Sequence, residues 1–132
     1  MSRGLKFKNV HSSTFGLYMK SDNRQILPNV ADEYVYIPDK AGSILVKSEI
    51  EDRFITVRFF FKANTIEELR TKSIEIGNWL HSTKRERLEF DDEPLHYWMA
   101  KVSGSVDATE NANTFEFSVT FRCEPYPYER EV

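Results

Sequence analysis

The sequence predicts a mainly β domain of the α+β kind, with about seven strands and one helix. Two observations carry most of this. Residues 53–62, Arg-Phe-Ile-Thr-Val-Arg-Phe-Phe-Phe-Lys, place Ile55, Val57, Phe59 and Phe61 on one face of an extended chain. Residues 114–123 alternate as cleanly, with Phe115, Phe117, Val119, Phe121 and Cys123 on one side. Between them, Thr65 and Glu68 stand at capping-box spacing, and Ile66, Leu69, Ile76 and Leu80 follow along one helical stripe with Ser73 a small gap in it. A helix over about 65–81 would be roughly 25 Å long and must lay its stripe on the sheet before it.

In chain order, Leu5, Phe7 and Val10 suggest a short first strand broken at His11-Ser12-Ser13. Phe15, Leu17 and Met19 alternate as a second strand, and Ser21-Asp22-Asn23-Arg24 has the composition of a turn. Tyr34 and Tyr36 alternate with Val35 and Ile37, so a strand there is apolar on both faces. The Asp39–Ser43 turn leads to Ile44-Leu45-Val46, and the two runs read as a hairpin. A two-stranded ribbon is marginal alone, so this one needs cover from its own domain or from a neighbouring subunit.

Ser82-Thr83-Lys84-Arg85 would end the helix with positive charge, where its dipole favours cations. Leu88–Phe90 and Leu95–Val102 read as strands around the Asp91–Pro94 turn. Residues 107–113 read as a polar loop, and Pro125 and Pro127 end the last strand.

With 132 residues, 40% hydrophobic and 30% charged, the chain suits one domain that folds without staples. Aromatic residues at 14% exceed the ordinary share, which fits a β-rich core, a sticky interface or both. A net charge of −3 gives no electrostatic reason to expect nucleic acid or an anionic membrane. The start Met-Ser-Arg-Gly-Leu-Lys lacks the apolar core of a signal peptide, and no run approaches transmembrane length. The single cysteine, Cys123, forms no internal disulfide, so the chain reads as cytosolic when made.

Motifs for chemistry are sparse. His11, His81 and His96 lack the paired spacing of a zinc site. Glu89, Asp91, Asp92 and Glu93 lack the glycine and ligand spacing of a calcium loop and read as a turn. Cys123 continues an apolar face and is expected to be inert. There is no phosphate loop or nucleophile elbow, so neither an enzyme nor a cofactor is expected. Tyr97 and Trp98 offer a different reading, a monomeric module that binds a saccharide or peptide. Tyr34, Tyr36, Phe60, Tyr97, Tyr126 and Tyr128 remain as aromatic residues that one helix does not cover.

An ordered set of motifs spans nearly the whole chain. It begins Phe15-Gly16-Leu17-Tyr18, Ser21-Asp22-Asn23-Arg24, Pro28, Tyr34-Val35-Tyr36-Ile37-Pro38 and Gly42-Ser43. It continues with Glu51-Asp52-Arg53, Ala63, Glu67-Glu68-Leu69-Arg70 and Trp79-Leu80. It ends with Leu88–Pro94, Tyr97-Trp98, Ala100–Gly104 and Phe121–Tyr126.

This set resembles the siphophage distal tail protein family. The resemblance implies a β-sandwich or split barrel with one helix and a hairpin, about 30–47, protruding from it. It implies copies assembled into a ring, a homohexamer, that joins the tail tube to the tip or baseplate. The partners would be the chain itself, the tail tube protein and tail-tip proteins, with no nucleic-acid specificity and no membrane. The protein would be made in the host cytoplasm and reside in the virion. Subunit-interface candidates are then Arg24, Tyr34, Tyr36, Ile37, Ile44, Val46 and Phe60. Residues 1–125 would form the ring domain, and 126–132 an exit segment toward a second domain of longer members that is absent here.

Overall fold

Eleven strands and one α-helix follow one another along the described residues of a computed structural model, which are 4–111 and 114–130. The first half holds β1 (Leu5–Phe7), β2 (Val10–His11), β3 (Tyr18–Arg24), β4 (Val30–Val35), β5 (Ile44–Ile50) and β6 (Arg53–Lys62). Then come α1 (Ile66–Leu80), β7 (Glu86–Phe90), β8 (His96–Ser103), β9 (Ala108–Asn111), β10 (Thr114–Cys123) and β11 (Tyr128–Glu129). Expectations for residues 1–3, 112–113 and 131–132 lie outside the described residues.

The two alternating stretches pair with each other. β6 and β10 run antiparallel from Arg53 opposite Cys123 to Lys62 opposite Thr114. Their shared register puts Phe59 beside Phe117 and Phe61 beside Phe115, with ring centroids 5.5 and 5.6 Å apart. The inner residues of both strands are buried; on the outer face Phe54, Arg58, Ser118 and Arg122 are exposed. Each buried Phe or Val contributes on the order of 2 kcal/mol, so this ladder is the centre of the core.

Every ladder is antiparallel, and the main sheet runs β2-β1-β7-β8-β10-β6-β3. β8 and β9 share one edge of β10, β8 against Thr120–Cys123 and β9 against Thr114–Phe117. The sheet folds over onto itself, because Phe7 of β1 meets Phe121 of β10 at 5.2 Å. The result is a β-sandwich with one helix, as expected, with more strands than the seven anticipated. The strands not anticipated, β2, β9 and β11, are two to four residues long, too short to show a period.

The helix caps as its spacing predicts. Thr65 Oγ1 accepts from the Glu68 N–H at 3.1 Å, and the Glu68 carboxylate accepts from the Asn64 N–H at 3.2 Å. Leu69, Ile76, Trp79 and Leu80 are buried, whereas Ile66, in the first turn, is 60% exposed and falls off the expected stripe. Trp79 replaces it as the anchor. Its indole N–H donates to the Phe7 carbonyl at 2.8 Å, and its ring packs on Phe7 and Phe15. The positive charge expected from Lys84 and Arg85 is absent from the last turn. Lys8 supplies a cation instead, donating to the His81 carbonyl at 2.7 Å.

Ser21–Arg24, expected as a turn, is strand. A bulge between Met19 and Ser21 resets the register, so Asp22 lies opposite Val57 and Arg24 opposite Ile55, on the inward side. There Arg24 pairs with Asp22 and with Asp92 (2.7 Å) and lies 4.4 Å above the Phe90 ring. Burial alone pulls the Arg24 pKa down, but the Asp92 and Asp22 carboxylates together hold it above its ordinary value. Arg24 thus bridges β3 to the far end of the same sheet by ion pairing. Phe15 belongs to a 3-10 turn, Ser12–Phe15, and not to a strand. The loop expected over 107–113 contains β9. Leu95, expected to open a strand, is 68% exposed and precedes β8.

Residues 128–130, within the segment expected to lead out of the domain, contact the main sheet. β11 pairs Tyr128 with Tyr97, their rings 5.4 Å apart, and Arg130 reaches Glu89 at 2.9 Å. At the start of β6, Asp52 Oδ2 accepts from Arg85 and Arg122, each at 2.8 Å. The Arg122 hydrogen bond, seconded by Arg85, holds the Asp52 carboxyl below its ordinary range.

Trp79→Phe removes the indole donor to the Phe7 carbonyl and should lower the unfolding free energy by about 1 kcal/mol, read from the urea midpoint. Asp52→Asn should cost about 1 kcal/mol at neutral pH, since the site is partly solvated. Because the folded carboxyl pKa is depressed, this stabilisation is present above the unfolded value. It fades as pH falls through the folded pKa, below 3.8, where wild type and variant should converge in acid melts.

Candidate functional site

β4 and β5 stand apart as their own two-stranded sheet, paired from Val30–Ile50 to Val35–Ile44 with a bulge at Glu33/Tyr34. Every β5 residue is exposed, as is every β4 residue beyond Val30. The middle of this arm is polar, with Ser48 donating to Asp32 and Lys47 beside Glu49 at 3.0 Å. Its distal half is apolar on both faces. Tyr34 is 53%, Tyr36 78%, Leu45 52% and Val46 58% exposed, and Val35, Ile37 and Ile44 are also open. A ribbon with solvent on both sides gains no burial energy to offset the ordering of its backbone.

The root of the arm is firmly held. The Glu51 N–H donates to the Asn29 carbonyl at 2.9 Å, and the Asn29 amide donates to the Glu51 carboxylate. Arg53 is 6% exposed; its guanidinium donates to the carbonyls of Gln25 and Pro125 and lies 4.9 Å from the Trp98 ring centre. With Asp52 bonded to Arg85 and Arg122, both ends of the arm start from fixed points.

Of the residues marked as interface candidates, Tyr34, Tyr36, Ile37, Ile44 and Val46 come together on this arm. Phe60 lies elsewhere, half-buried on the outer face of β6 and stacked on Tyr18 at 5.2 Å. Arg24 sits inside its ion cluster. Sequence reasoning missed Val35 and Leu45, and also Ile26 and Leu27, which are exposed on the approach to the arm. The signal was present as an apolar run with no alternation.

The residues weighed for chemistry are engaged in structure. Trp98 is 5% exposed and donates to Glu93 at 2.8 Å, so its ring presents no open platform for a sugar. Tyr97 lies between Tyr128 and Arg87, whose guanidinium is 3.9 Å from its ring centre. Asp91 meets His11 at 2.9 Å, and Asp92 meets Arg24. Burial pushes the Cys123 thiol up to about 12, out of nucleophilic range. Among the described residues no His, Cys, Asp and Glu group is arranged to hold a metal ion, and no helix is long and apolar enough to cross a membrane.

Residues 10–123 match the family described as the phage tail protein RIFT-related domain. A solved structure, SPP1 Dit (gp 19.1), aligns with 100% of this chain at a TM-score of 0.87 and 15% identity. That protein is described as a paradigm of hub adsorption apparatus in Gram-positive infecting phages, and the chain spans about half of it, 54%. No curated protein sequence matches the chain. The low identity carries the fold alone; the family assignment rests on the 10–123 match. The chain belongs to the phage tail proteins of the RIFT-related domain family and is a structural component of a phage tail.

Proposed function

We propose that this protein is a subunit of the hub at the distal end of a siphophage tail, where it self-associates into a closed ring of six copies. The ring joins the tail tube to the tip or baseplate, and its partners are its own copies, the tube protein and the tip proteins. The observation that carries this reading is the arm, apolar on both faces at its far end and rooted on a fixed base. Its work in this reading is assembly and not catalysis. Burying the distal half against a neighbour supplies the cover that the ribbon lacks. A contact that joins two different patches of identical subunits closes into a ring when the rotation permits. Such a contact buries on the order of 1,000 Å² or more.

Light scattering across a range of concentrations tests this. The wild-type chain should give a discrete oligomer of ring size. Tyr34→Glu and Tyr36→Glu should move it to monomer while the thermal midpoint of the monomer stays within the equivalent of about 0.5 kcal/mol, because neither side chain is in the core. A wild type that is monomeric at every concentration, or charged variants that assemble unchanged, would contradict the proposal.

A further inference from the structure

On the outer side of the main sheet, β6 sets Phe54, Thr56, Arg58, Phe60 and Lys62 in one row. The registers place its neighbours. Arg122 stands opposite Phe54 and Lys101 opposite Arg122; Ser118 and Ser21 flank Arg58, and Tyr18 stands opposite Phe60. Lys20, at the bulge of β3, reaches across to Glu116 at 3.0 Å. From Phe54 to Lys62 the row is about 27 Å long, at ~3.3 Å per residue.

The charge on this face is one-sided. Its outward positions carry Lys20, Arg58, Lys62, Lys101 and Arg122 against one carboxylate, Glu116. At the rim Arg85 and Asp52 cancel. The face is therefore +4 within a chain of net charge −3, and the rest of the molecule carries −7. Overall charge conceals this because the sign is sorted by strand parity and not by stretch of sequence. Glu116 already meets Lys20 and Arg58, at 3.0 and 3.6 Å, whereas Lys62 and Lys101 are exposed and meet no carboxylate among the described residues. Lys101 directly opposite Arg122 is a like-charge cross-strand pair, which costs a sheet stability. Nothing in the fold calls for it; an anion from outside does.

We propose that this face holds duplex DNA by its phosphate backbone, without regard to base sequence. Between the cations stand Ser21, Asn23, Thr56, Ser118 and Thr120, side chains that hydrogen-bond to phosphate and sugar as Arg and Lys do. The aromatic rings here are already engaged, Phe60 with Tyr18 at 5.2 Å and Phe54 with Arg122 at 5.5 Å. They are not set out as a platform for unpaired bases, which favours a duplex over a single strand. Along the row a duplex presents about sixteen phosphates, one per ~1.7 Å of axis. The contact does not depend on the self-association proposed above.

Fluorescence anisotropy of the full chain with two labelled 20-base-pair duplexes of unrelated sequence tests this. Both should bind alike, and affinity should fall about 40-fold between 50 and 200 mM salt if three phosphates are held, at roughly 0.9 per phosphate. Lys62→Glu with Lys101→Glu should weaken binding at least tenfold at the lower salt. Its melting temperature should hold, because a glutamate at 101 faces Arg122 with the opposite charge. Lys40→Glu with Arg70→Glu makes the same change in net charge away from this face and should bind within about twofold of wild type. No binding at 50 mM salt, or equal losses in the two double variants, would overturn the proposal. So would polyglutamate competing better than unlabelled duplex at equal charge, which would mark the face as a seat for an acidic protein.

Discussion

The antiparallel register between β6 and β10 is the constraint on which the rest depends. One register sets every inward residue of both strands at once, since a slip by a single position would turn the phenylalanine rows to solvent. With Phe59 on Phe117 and Phe61 on Phe115 fixed, β3 adds to one side, and β8 and β9 divide the other. The sheet then curls until Phe7 meets Phe121, and α1 closes over the aromatic layer through Trp79. Arg24 secures β3 to the β7–β8 turn with ion pairs.

This economy leaves one surface outside the core. The arm springs from the two ends of the segment between β3 and β6, so the central ladder holds its root without covering its tip. It is an apolar ribbon without a support. In the proposed assembly a neighbour covers it, and the stability of the arm becomes a property of the oligomer.

What was legible in the sequence is what local patterning controls. The β6 and β10 alternation, the Thr65–Glu68 cap and the arm all stand in runs of ten residues or so, where a period is visible. Ser21–Arg24 was misread because serine, aspartate and asparagine favour turns in general; here a bulge turns Asp22 inward against Arg24, a tertiary effect. Ile66 has helical spacing but lies in the first turn, beyond the sheet that would cover it. β11 escaped notice because two residues carry no period and its reason, the stack of Tyr128 on Tyr97, spans the chain. The arm was legible as an apolar ribbon.

The central claim is that the arm is ordered by a neighbour and not by its own domain. Hydrogen exchange of the amides in β4 and β5, followed from dilute to concentrated protein, addresses this directly. Fast exchange in the dilute monomer, giving way to strong protection as oligomer forms while β6 and β10 remain protected throughout, is the expected result. Protection of the arm already present in the monomer, or exchange that stays fast in the oligomer, would contradict the account.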